Sequence, residues 1–143
     1  MRIYVHDVTG RDGVQNYDFP VSTRSKLTYS RHMAAAGVAS IEPGSFVSSK
    51  SELHKRFLDN ADVLKGLSDL QDPIQYWLAP SLGCYKKCVL AGARSFGLVI
   101  SVNEDHEKKN KDGASLDEGI RESREIIMAA AMPILFKLSF LFG

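Results

Sequence analysis

Strand and helix signals alternate four times along the 143-residue chain and end on a further apolar run, which predicts an α/β fold built on a parallel sheet. Such alternation allows a (β/α)8 barrel or a doubly wound sheet, and two further observations decide between them. The loop after the first strand carries Gly10, Arg11, Asp12 and Gly13, without the G-x-G-x-x-G or G-x-x-x-x-G-K-[ST] pattern expected of a doubly wound nucleotide-binding domain. Polar residues gather just after the strands, at Arg11/Asp12, Glu42/Ser45 and Asn103/Glu104, on the face where barrel enzymes build their sites. The expected fold is half of a (β/α)8 TIM barrel, about four βα units and a fifth strand, forming one partial barrel domain over residues 1–143.

Residues 3–8 read as a buried strand. Ser22 is an N-cap candidate for a helix over 23–36, and Gly37 would close it. A second strand over 38–41 ends at Glu42-Pro43-Gly44. Ser51 then opens a helical segment to about Leu70, with Leu53, Phe57, Leu58, Val63, Leu64 and Leu67 on one broad face. Asp72-Pro73 breaks it. Residues 74–78 form a third strand stopped by Pro80, a helix follows over about 83–92, and 96–102 is a fourth strand rich in branched residues. After a polar loop over 103–113, Ser115 and Glu118 make a capping-box pattern for a helix that runs to about Ala131 before Pro133. The run 134–142 is the fifth strand.

Composition bounds the function. With 44% hydrophobic and 24% charged residues, the chain is an ordinary soluble polypeptide long enough to bury a core. A net charge of +1 without a long basic run gives nucleic acid or an anionic membrane no electrostatic hold. Neither is an expected partner. Cys84 and Cys88, at i, i+4 spacing without the other Cys and His residues of a zinc site, are expected to be free thiols in a reducing compartment. Met1-Arg2 leads straight into the first strand with no apolar or amphipathic presequence, so the cytoplasm is the expected location. The apolar stretch 126–143 is interrupted by Pro133 and Lys137, and its unbroken part is shorter than the roughly 20 residues of a spanning helix. A buried strand is the better reading than an anchor.

The chemistry points to Arg11 and Asp12, a fixed cation beside a hard carboxylate where a strand runs out into a glycine turn. Alone, such a pair is more often a surface ion pair or a turn-forming Asx motif. Its context changes that reading. Arg11-Asp12-Gly13-Val14-Gln15-Asn16, Ile41-Glu42-Pro43-Gly44-Ser45-Phe46-Val47-Ser48-Ser49-Lys50 and Lys108-Lys109-Asn110 together resemble the 3-hydroxy-3-methylglutaryl-CoA lyases. That family belongs to a metal-dependent lyase and Claisen-condensing superfamily built on a TIM barrel. The first motif fits the whole superfamily, whereas Gln15-Asn16 with Ser45-Phe46-Val47-Ser48 resembles the lyase branch.

The resemblance implies cleavage of 3-hydroxy-3-methylglutaryl-CoA to acetyl-CoA and acetoacetate, a reaction of leucine degradation, with Mg²⁺ or Mn²⁺. It makes Asp12 a ligand of the divalent cation and Arg11 the group that stabilises the developing enolate. Both roles suit the residue types: a carboxylate oxygen for a hard cation, and a permanently charged guanidinium for an oxyanion. Glu42 matches an acidic residue of the catalytic face, and Gln15 and Ser45 match neighbours that shape the substrate pocket. The plainer alternatives are a solvated strand end for Glu42, a solvated loop for residues 104–111 and structural or exposed positions for His6, His32 and His54. If that loop does more, its lysines could meet the phosphates of the acyl-CoA.

The chain also departs from the pattern. Tyr17 and Asp18 stand where the lyases usually have glutamate and lysine, and Gly10 and Ser49 where proline is usual. The His-x-His and Asn metal ligands and the catalytic cysteine of the family belong to the second half of the barrel, and no histidine follows His106. The chain is therefore expected to be the N-terminal half, truncated after the fifth strand, with open sheet edges suited to self-association. Two alternatives remain: a Claisen-type acyl-CoA synthase similar to isopropylmalate or homocitrate synthase, and a catalytically silent half barrel, since one Asp falls far short of the roughly six ligands an octahedral cation takes.

Overall fold

The computed structural model describes residues 2–101, 103–111, 113–130 and 134–139, and the backbone alone at 106, 109, 110 and 134–139. One parallel sheet has the order β1 (His6–Asp7), β2 (Ser40–Ile41), β3 (Ile74–Gln75). A second has the order β4 (Trp77–Leu78), β5 (Phe96–Ser101), β6 (Ile134–Ser139). The third predicted strand is thus split at Tyr76 between two sheets, and a parallel bridge from Ser45 to Leu78 joins them. Sequence neighbours are spatial neighbours throughout, as in a barrel wall; a doubly wound sheet doubles back on itself. The fold is a partial TIM barrel.

Two helices begin where their caps predict, and a third opens on a cap the sequence reading did not name. Ser22 accepts from Ser25 N at 3.1 Å to open α1 (Thr23–Ala35), which ends before Gly37 at φ +76°. The sequence contains one more helix than expected between β2 and β6, so the others are α2 (Asn60–Gly66), α3 (Leu82–Leu90), α4 (Glu104–Asn110) and α5 (Leu116–Ala129). Ser81 caps α3, and Ser115 with Glu118 forms the predicted capping box of α5. That helix ends at Ala129, with Ala130 already extended, slightly before the expected Ala131; Pro133 and the last residues of the run 134–142 lie outside the described residues.

Four expectations need correction. Only His6–Asp7 of the first strand pair with β2, and Ile3, Tyr4 and Val5 are exposed, because nothing among the described residues covers their outer side. The single helix over 51–70 is a 3₁₀ turn, Glu52–Arg56, followed by α2. The break has a cause in α1: Lys26 Nζ binds Arg56 O at 2.8 Å and Asp59 Oδ1 at 2.5 Å, and Thr23 donates to Asp59 Oδ2, which ties residues 56–59 down. Leu58 is accordingly turned out to solvent while Phe57, Val63, Leu64 and Leu67 are buried. Residues 104–110 are α4, not a loop; Glu and Lys are good helix formers, and no Gly or Pro interrupts them. Lastly, the second and fourth strands are shorter than the apolar runs that announced them, 40–41 within 38–41 and 96–101 within 96–102.

The main core lies between the sheet and its helices. Trp77, Phe96 and Leu98 from the strands meet Val63 and Leu67 of α2, Cys84, Tyr85 and Cys88 of α3, and Ile126 of α5. Both cysteines are free and buried, and burial, helped by neighbouring Cys84, pushes the Cys88 thiol up to about 12. No helix among the described residues is long and apolar enough to cross a membrane.

Candidate functional site

The carboxyl ends of β1 and β2 lie side by side, His6 opposite Ser40 and Asp7 opposite Ile41, so the segments that leave them are neighbours. After β1 the chain winds into a π-helical turn, Thr9–Gly13, in which Val8 O accepts from both Arg11 N at 3.1 Å and Asp12 N at 2.7 Å. Such turns are rare and tend to occur at functional sites. The winding brings the motif's polar groups onto Asp12: Gln15 Nε2 donates to its Oδ1 at 2.9 Å, Asn16 Nδ2 to its carbonyl at 2.9 Å, and Arg11 Nη1 to Oδ1 at 2.8 Å.

Arg11 reaches across to the next strand as well. Its Nε donates to Glu42 Oε2 at 2.8 Å, and Glu42 is 1% exposed. Two anchors on Nε and Nη1 hold the guanidinium, while Nη2 carries no hydrogen bond to the described residues. A buried carboxylate is stable only when paired, and Glu42 is paired twice, because His6 Nε2 lies 3.0 Å from its Oε1. The approach of the two segments is possible at Gly10, where a Cβ would stand 2.8 Å from Glu42 O.

The structure therefore brings together Arg11, Asp12, Gln15 and Glu42. Ser45 is placed differently: it is buried and its hydroxyl donates to Leu78 O at 3.3 Å, so it joins the strands instead of facing the Arg11 cluster. Asn60 of α2 grips Ser45 O through Nδ2. Among the lysines of the third motif, Lys108 pairs with Glu104 at 3.2 Å, and the side chains of Lys109 and Asn110 lie outside the described residues. Lys111 is buried against Glu107, so this lysine does not offer itself to a phosphate.

Two participants were not evident from sequence. His6 bridges Ser40 and Glu42, and Asp7, next along β1, accepts from Thr9 Oγ1 at 2.8 Å and Tyr29 OH at 2.9 Å. Burial raises the Tyr29 phenol above its ordinary range, with Asp7 pushing the same way against a bond from Thr9. The period-two alternation of strand residues was the available signal: once Glu42 is a site residue, Ser40 shares its face and a parallel neighbour must stand opposite.

A divalent cation can be tested against these donors. Asp12 Oδ1 is occupied by Arg11 and Gln15, but Oδ2 has no hydrogen bond to the described residues and the side chain is 45% exposed. It fits as one hard oxygen ligand. Both oxygens of Glu42 are engaged, and no group of three His, Cys, Asp or Glu side chains that could hold a metal occurs among the described residues. Asp12 thus suits a metal without completing its shell.

Comparison with known proteins bears on the family and the fold. The HMGL-like family model matches residues 2–133. Mitochondrial hydroxymethylglutaryl-CoA lyase of Macaca fascicularis is 32% identical over 129 residues, which span 90% of this chain and 39% of that protein. The cytoplasmic 3-hydroxy-3-methylglutaryl-CoA lyase of Homo sapiens is 28% identical over 128 residues, 90% of this chain and 34% of that protein. The chain spans about two fifths of the length of these curated relatives. Among solved structures, an HMG-CoA lyase from Acinetobacter baumannii, in complex with coenzyme A and 3-methylmalate, superposes with a TM-score of 0.84 at 26% identity over 94% of this chain and 44% of that one. The HMG-CoA lyase of Bacillus subtilis shares the fold with a TM-score of 0.84 at 24% identity, covering 99% and 48%. With the strand order of a barrel wall and a family match over nearly its whole length, the chain belongs to the HMGL-like family.

Proposed function

We propose that this chain carries the first half of the site of a divalent-metal-dependent carbon–carbon lyase that cleaves 3-hydroxy-3-methylglutaryl-CoA to acetyl-CoA and acetoacetate. The observation that carries the reading is the Arg11 clamp: Glu42 on Nε and Asp12 on Nη1, with no bond from Nη2 to the described residues. In the cleavage, the C3 hydroxyl gives up its proton, the C2–C3 bond breaks, and its electron pair moves onto the thioester as an enolate while C3 becomes a ketone. A guanidinium already held in place can stabilise that oxyanion without reorganising, and it keeps its own proton. Glu42 is buried and doubly bonded, so its part is to hold Arg11 and not to move a proton. Gln15 keeps Asp12 Oδ1 turned away and leaves Oδ2 outward for the cation. A bound Mg²⁺ or Mn²⁺ would polarise the substrate oxygens and acidify the C3 hydroxyl. The relatives named as hydroxymethylglutaryl-CoA lyases, and the neighbour bound to coenzyme A, support an acyl-CoA as the substrate class. Ser45, whose hydroxyl is committed to Leu78, acts in this reading as a strut between strands and not as a substrate contact.

The second reading, a silent half barrel, draws on the single open oxygen of Asp12. A lyase assay with 3-hydroxy-3-methylglutaryl-CoA and Mg²⁺ or Mn²⁺ separates the two. Activity that falls by about 10²- to 10³-fold in Arg11→Ala, the usual loss on removing an oxyanion donor, and disappears in Asp12→Ala supports the lyase. A folded chain with no activity means that this chain alone is silent and that the chemistry needs the rest of the barrel.

A further inference from the structure

The inner face of β1 and β2 carries a side chain to which the lyase reading gives no task, His6. Parallel register sets it opposite Ser40, and Glu42 follows two residues later on the same face of that strand. Its ring is held on three sides: Nδ1 is 2.6 Å from Ser40 Oγ, Nε2 is 3.0 Å from Glu42 Oε1, and the ring edge meets Tyr76 at a centroid distance of 6.0 Å. The far oxygen of the same carboxylate accepts from Arg11 Nε.

We propose that His6 is a positioning residue for Arg11, acting through Glu42. The terminal torsion of a glutamate is soft, so a carboxylate held at one oxygen can still rotate. Held at one oxygen by His6 of β1 and at the other by Arg11 of the turn after it, it cannot rotate without losing a bond, and a buried charge makes that loss costly. A carboxylate oxygen only accepts, so Nε2 must carry a hydrogen, and the Ser40 hydroxyl, which can donate or accept, meets Nδ1. Ser40 therefore holds the ring, Nε2–H fixes the plane of Glu42, and Glu42 aims Arg11. The geometric claim concerns this chain's own residues, and only its catalytic consequence rests on the lyase reading.

Side-chain NMR of the ¹⁵N-labelled chain reads this directly. Expected are a protonated Nε2 at His6 and an Arg11 Nε–H signal protected from exchange with water. His6→Leu removes the donor, so the Arg11 signal should shift and exchange faster, whereas His6→Gln, whose amide can donate to Glu42, should restore most of the protection. An Arg11 signal in His6→Leu identical to the parent's, or protonation at Nδ1 alone, overturns the proposal. If His6→Leu does not fold, Ser40→Ala takes its place and should weaken the same signal because the His6 ring loses its hold at Nδ1; an unchanged signal there overturns the proposal equally. In the lyase assay, His6→Leu should lower kcat on the order of tenfold, the scale for groups that orient a functional side chain, with little change in KM. A parent chain without activity counts against the lyase reading alone, and the Arg11 signal still decides the role of His6.

Discussion

Gly10 lets the turn after β1 lie against the turn after β2, and so lets Arg11 reach Glu42. A Cβ there would meet Glu42 O at 2.8 Å and Pro43 Cα at 3.0 Å, both backbone atoms that cannot swing aside as a side-chain tip would. Gly10→Ala should therefore destabilise by about 1–3 kcal/mol, the usual cost of overpacking, and should weaken the Arg11–Glu42 bond with it. Urea denaturation of the two proteins checks the first part, and an unchanged midpoint would refute it. The same position shows how far residues could be read from the sequence. Arg11, Asp12 and Glu42 were legible because residue type and strand-end position carry the chemistry, Gln15 only through the family resemblance, and the four side chains converge. The direction of Ser45 was not, because a small hydroxyl on a strand can face a pocket or bridge to a neighbouring carbonyl, and only the path of β4 selects the latter. His6 was missed because its partners are more than thirty residues away and no local spacing announces them.

Among the elements, α4 separates what local patterning shows from what packing adds. The capping box of α5 and the N-cap of α1 are local signals, and each appears as expected. A polar, charged stretch suggests a solvated loop, yet Glu107 and Lys111 one helical turn apart form a buried ion pair at 3.3 Å, with side chains 0% and 2% exposed. Glu107 Oε2 accepts from Ser101 N at 2.7 Å, and Lys111 Nζ donates to Gly119 O at 3.2 Å and Ser123 Oγ at 3.3 Å. The pair thus ties the end of β5 to α5, and Gly119 leaves it room. Removing one partner strands the other: Lys111→Met should cost about 3–5 kcal/mol. Adding Glu107→Gln, which keeps an acceptor for Ser101 N and removes the charge, should recover much of that loss. Urea denaturation of the single and double variants gives the comparison, and simple additivity of the two substitutions would mean the charges are not coupled.

For the whole molecule, the question is what faces the outer side of β1. In a closed barrel every strand has two neighbours, and the lyases this chain resembles are such barrels. Here β1 pairs with β2 alone among the described residues, and the segment leading into it leaves Ile3, Tyr4 and Val5 at 76%, 73% and 55% exposure. Isolated apolar side chains on a surface need no explanation, but three in succession leading into a strand whose outer side pairs with no strand among the described residues form a template for another strand. Little electrostatic repulsion opposes the approach of a second copy, since the net charge is only +1. The chain alone should therefore associate with itself as concentration rises, and light scattering on a sizing column should show the mean mass climbing. Tyr4→Lys places a charge on that edge and should hold the mass at that of one chain without lowering thermal stability, because Tyr4 is largely exposed and contributes little to the core. A parent chain of constant single-chain mass would refute the edge argument. A Tyr4→Lys variant that associates as strongly as the parent would instead move the contact to a different surface, because a lysine on an edge is among the most effective ways to stop strand addition.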